Sequence, residues 1–166
     1  MFELKPLDPH AIPRALEKVE RYRLLNEPEE AESICLDILA IEPDNQQALV
    51  GLLLSLSDQF PSGCADCFQR AQDLLPKLHE EYDRHYYAGI LCERRGNALL
   101  SHGGLGSNKT AYDWLQKAMR FYEHAEAVRP PQNDDAILRW NTCARIIMKH
   151  YHAPPTTEPS EPVLLE

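Results

Sequence analysis

Residues 30–45, Glu30-Ala31-Glu32-Ser33-Ile34-Cys35-Leu36-Asp37-Ile38-Leu39-Ala40-Ile41-Glu42-Pro43-Asp44-Asn45, decide the fold. Ala31, Cys35 and Ile38 are spaced four and three apart, so a helix places them on one face. Pro43 then ends the helix, because it offers no backbone donor. Offsets of zero, four, seven and twelve recur in Cys64, Phe68, Ala71 and Pro76, and again in Ala118, Tyr122, Ala125 and Pro130. A small residue lets two helices approach, and the residues four and seven further on fill the space between them.

Outward from this stretch, amphipathic segments of helical length run from Ile12 to Leu25, Glu29 to Ile41, Asn45 to Gln59, Gly63 to Leu75, Glu80 to Leu100, Thr110 to Arg129 and Asp134 to Tyr151. Pro, Gly or Asn marks almost every break, and no segment reads as a strand. The first helix is expected to bury Ile12, Leu16, Val19, Tyr22 and Leu25. The third is apolar almost all round (Leu49, Val50, Leu52, Leu53, Leu54, Leu56), which marks it as the central helix. Ser101 to Lys109, with Gly103, Gly104 and Gly106, reads as a flexible inserted loop. Residues 153–166 carry four prolines and little apolar surface, so a disordered tail is expected after one helical domain of residues 1–152.

This recurring spacing resembles the tetratricopeptide repeat family, whose unit is an antiparallel helix pair with a small, aromatic, small, proline pattern in its second helix. The second set follows the first by 33 residues and the third lies 54 further on, which implies about 20 inserted residues against a family period of about 34. The matching first helices hold Ala15, Lys18, Val19 and Tyr22, then Leu49, Leu52, Leu53 and Leu56, then His85, Ala88, Gly89 and Cys92; only the third keeps the glycine. The resemblance implies an all-α solenoid of three pairs over roughly residues 12 to 130, with the last helix as a cap.

It also implies function by binding, because the first helices of such pairs line a concave groove for a peptide or a partner helix. Carried over by register, the groove residues are Leu16, Glu20, Arg23 and Leu24, then Gln47, Val50, Gly51 and Leu54, then Asp83, Tyr86, Tyr87, Ile90 and Arg94. One variant of the family clamps a carboxylate with Lys, Asn and Arg; Leu16, Glu20, Gly51, Asp83 and Tyr87 stand at those places and supply no cationic fork. Tyr86 and Tyr87 are the expected anchors, either of which could instead be core. The expected role is a non-catalytic adaptor or scaffold for another protein. A secretion-type chaperone of the same fold is the alternative, and a homodimer or docking of Val163-Leu164-Leu165 in the groove is a further one.

Composition narrows the classes. The 166 residues carry 26 acids against 17 Lys and Arg, a net charge of −9, which disfavours nucleic acid and anionic membrane as partners. No apolar run suits membrane insertion and the start lacks a signal-peptide pattern, so the expected compartment is the cytoplasm. Cys35, Cys64, Cys67, Cys92 and Cys143, odd in number, read as reduced core residues. Residues 27–43 hold six acids, while Arg139, Arg145, Lys149, His150 and His152 make the last helix basic.

Catalytic and cofactor chemistry find little support. Gly103 to Thr110 nearly fits a phosphate loop, with Asn108 in place of the second glycine, and makes a nucleotide-binding protein using Lys109 and Thr110 the alternative from another class. A helix rather than a strand is expected before it. Cys64 and Cys67 form a Cys-x-x-Cys without a second pair, so neither a metal nor a redox site is assigned. The histidines show no ligand or triad spacing. Glu80, Glu81 and Asp83 read as acids favoured at a helix start. No cofactor is expected.

Overall fold

The computed structural model describes residues 1–151, so the expected tail at 153–166 and His152 lie outside the described residues. Seven α-helices occur among the described residues: α1 (Ile12–Leu24), α2 (Pro28–Ile41), α3 (Gln46–Asp58), α4 (Cys67–Gln72), α5 (Glu81–His102), α6 (Ser107–Ala127) and α7 (Asp135–His150). Short 3-10 turns at Pro9–Ala11, Phe60–Ser62 and Leu75–Lys77 complete the regular structure. The fold is all-helical. No described helix is long and apolar enough to cross a membrane.

The termini of the helices follow from local chemistry. Pro28 stands at the first position of α2, where a missing N–H costs nothing. Asn45 caps α3 by accepting a hydrogen bond from the Ala48 N–H at 2.9 Å. Asn26 closes the α1–α2 turn at φ 59°, a left-handed conformation that asparagine tolerates.

Each helix packs on its neighbour in sequence, and α1 also meets α3 while α3 also meets α5. α3 therefore touches α1, α2, α4 and α5, which explains why it buries Ala48, Gly51, Ser55 and Ser57 as well as the stripe of Leu49, Leu52, Leu53 and Leu56, so that buried positions spread around most of its circumference. One apolar cluster joins α1 to α5 through Val19, Cys35, Leu53, Cys67 and Leu91. A second joins α5, α6 and α7 through Ile90, Leu115, Tyr122 and Cys143. Leu54 and Tyr87 pack against both.

Several expectations change. The segment expected from Gly63 to Leu75 forms only the short α4, which ends at Gln72 because the ring of Pro76, four residues on, conflicts with a helical carbonyl there. Cys67 and Ala71 of α4, and Leu74 and Leu78 after it, are buried, whereas Cys64 lies before the helix and is only half-buried. The buried position that the spacing assigned to Cys64 is thus filled by Cys67, about one helical turn later. Cys64 and Cys67 are joined in a disulfide, so only Cys35, Cys92 and Cys143 are free thiols, all buried.

The expected loop from Ser101 to Lys109 shrinks to Gly103–Gly106, because α5 runs to His102 and α6 starts at Ser107. Gly106 turns the chain at φ 83°, and Ser107 Oγ both donates to the Gly104 carbonyl at 2.8 Å and accepts from its N–H. The 54 residues between Cys64 and Ala118 include all of α5 and the first half of α6, which reach 22 and 21 residues. Leu25 is exposed, since α1 ends at Leu24 and the chain turns away from the core.

Candidate interaction groove

An open cavity of about 780 Å³ lies along one face of α1, α3 and the start of α5. Its floor is apolar: Leu16 and Ile12 from α1, Val50 and Leu54 from α3, and Tyr87 from α5. Helical spacing explains the grouping, because Ile12, Leu16, Val19 and Arg23 share a face of α1, and Gln47, Val50, Gly51 and Leu54 share one of α3. The cavity falls within the usual size of ligand clefts, about 300–1,000 Å³.

Of the residues expected there, Leu16, Glu20, Arg23, Gln47, Val50, Gly51, Leu54, Asp83 and Tyr87 line this cavity. The others do not. Ile90 is only 2% exposed and sits in the core, because the α5–α6 packing covers the face that the repeat register assigned to the groove. Leu24 is 89% exposed and turned to solvent. Tyr86 points toward α6, stacked on Tyr82 at 5.6 Å and tilted against Tyr122 at 6.0 Å. The two adjacent tyrosines therefore divide, Tyr87 to the groove and Tyr86 to the aromatic cluster.

Arg94 is withdrawn as well. Its Nη1 donates to Ser57 Oγ at 2.5 Å, to the Leu54 carbonyl at 3.2 Å, and to the Asp58 carboxylate. Asp58 also accepts from Arg23 Nε at 2.7 Å, so one carboxylate ties α1, α3 and α5 together beside the groove. Burial lowers the Arg94 pKa, and the Asp58 charge opposes that shift. A smaller cavity of about 320 Å³, lined by Arg94, Asn97 and Ser101, opens on the other side of this clasp.

Register alone did not nominate Pro9, Pro13, Glu17, Glu42, Asn45 and Gln46, which also line the groove. Glu17 was within reach of the pattern, since it follows Pro13 by four residues and precedes Glu20 by three on the same face. Glu42 and Asn45 come from the α2–α3 connection, which a helix-only register passes over. Asp83 is half-buried, and burial followed by the charge of Glu80 raises its pKa. Burial and the Asp83 charge push the Tyr87 hydroxyl up to about 12.

The remaining sequence features sit elsewhere. Lys109 and Thr110 lie exposed in the first turn of α6, after a helix and a four-residue turn. Cys64, Asp66 and Cys67 are the one group among the described residues with metal-ligand proximity, their ligand atoms within 4.8 Å, but the sulfur–sulfur bond leaves no thiolate to offer a metal. On α7, Arg139 is engaged by Glu93, so the basic face reduces to Arg145, Lys149 and His150 among the described residues.

No protein-family model, curated protein or solved structure matches the chain.

Proposed function

We propose that the chain is a non-catalytic interaction module of tetratricopeptide-like stacked helix pairs, holding a peptide or helix of another protein in the groove of α1, α3 and α5. The observation that carries this reading is that nine residues named from the repeat register line one cavity. The contacts of α1 with α3 and of α3 with α5 fit it too, because stacking of pairs brings the first helices side by side. An adaptor, a scaffold or a secretion-type chaperone would all use such a groove.

The test is retention of protein from the native lysate by immobilised wild type, by Gln47→Trp and by Val50→Glu, after circular dichroism verifies folding. Gln47 is exposed, so a tryptophan there fills the groove without entering the core. A protein held by wild type and released by both variants supports the reading. Retention by all three places the binding surface elsewhere and overturns it.

A further inference from the structure

Four carboxylates line the groove: Glu17, Glu20, Glu42 and Asp83. Among the described residues none of them is in an ion pair. Among the described residues the single lining cation is Arg23, and its guanidinium is already turned onto Asp58. An apolar floor thus lies beneath an acidic rim whose own cation is spent. Asp83 is half-buried, so water solvates it incompletely, and among the described residues no cationic side chain pairs with it.

From this charge and floor, we infer that the groove's occupant is a protein segment that pairs Lys or Arg side chains with an apolar anchor, the cations meeting Glu17, Glu20 and Asp83. The inference rests on the groove reading proposed above and names the chemistry of its partner. A charged rim over an apolar floor selects partners by sign, since like charge placed against it is repelled. Residues 152–166 carry three Glu and neither Lys nor Arg, so this rim also disfavours the chain's own tail as occupant.

The experiment uses two fluorescent twelve-residue peptides with identical leucines, one carrying Lys and Arg, the other Glu at the same places, titrated with the full chain by anisotropy. Because a protein of net charge −9 attracts cations generally, Glu20→Gln/Asp83→Asn is compared with Glu29→Gln/Glu30→Gln, an equal charge change on exposed residues of α2 outside the groove. The expected result is binding of the cationic peptide at least tenfold tighter than the acidic one. That binding weakens about tenfold in the groove variant, stays within twofold in the α2 variant and falls with added salt. Equal weakening in both double variants, or no cationic binding, overturns the inference. If both peptides bind wild type alike and Gln47→Trp releases both, the charge preference fails while the groove reading stands. If Gln47→Trp retains the cationic peptide, the groove reading fails with it.

Discussion

A Cβ built on Gly89 would lie 2.5 Å from Cε1 of Tyr122, so the bare backbone of α5 is the surface on which the α6 tyrosine ring rests. The ring is not free to retreat, because its hydroxyl donates to the buried Glu93 carboxylate at 2.6 Å. Gly89→Ala gains about 1 kcal/mol of helix propensity but forces overpacking that costs about 1–3 kcal/mol. The expected outcome is net destabilisation in urea melts, and a smaller loss when the same change is made in a Tyr122→Leu background. Equal losses in both backgrounds would mean that the ring is not what excludes the methyl group.

Glu93 also accepts from Arg139 Nη1 at 3.3 Å, which joins α5, α6 and α7 at a carboxylate only 4% exposed. Removing the arginine leaves that charge with neutral partners only among the described residues, and uncompensated buried charge is expensive. Arg139 is itself about a third exposed, so Arg139→Met is expected to cost less than a fully buried pair would, about 2 kcal/mol. Glu93→Gln keeps an acceptor for Tyr122, and the double variant should recover part of the loss. Additive losses in a double-mutant cycle would show that the two side chains do not interact.

The spacing pattern made the buried faces of α2 and α6 legible at Ala31, Cys35 and Ile38 and at Ala118, Tyr122 and Ala125, all nearly inaccessible. It misread the middle unit, where proline spacing pointed to Cys64 although Cys67 fills the core. Proline marks where a helix must stop but not which face is inward, so an irregular unit can keep the spacing and shift its face. In the groove, positions on α1 and α3 were readable because single helices expose one face there. Ile90 was not, because the lengthened α5 and α6 pack along each other and cover it. Arg94 looked available from sequence only because its partner, Asp58, lies 36 residues away.

The cysteines give a direct chemical check. Burial pushes the Cys35 and Cys143 thiols up to about 12 and Cys92 to about 11, from an ordinary 9.0. Native protein should therefore resist iodoacetamide at pH 8, unfolded protein should take up three labels, and reduced unfolded protein five. Above pH 9 the unfolded chain releases thiol protons that the folded chain retains, so stability falls as pH rises toward 11–12. Five labels without reduction would show Cys64 and Cys67 to be thiols, and a flat stability between pH 9 and 11 would contradict the buried environment of the other three.

Asp58 holds both Arg23 and Arg94, each of the three side chains being about a fifth to a quarter exposed. Asp58→Asn keeps the shape but leaves two guanidinium groups facing each other in a partly desolvated site. The expected cost is about 2–4 kcal/mol in urea denaturation. Arg94→Met in the same chain should restore much of it, because a well-packed apolar side chain can replace a buried ion-pair partner. The change also frees Arg23 at the edge of the groove, so a cationic peptide should bind Asp58→Asn more weakly than wild type, with the difference shrinking at high salt. A loss below about 0.5 kcal/mol, the range of ordinary surface changes, would mean that the three helices are held by apolar packing alone and the clasp is incidental.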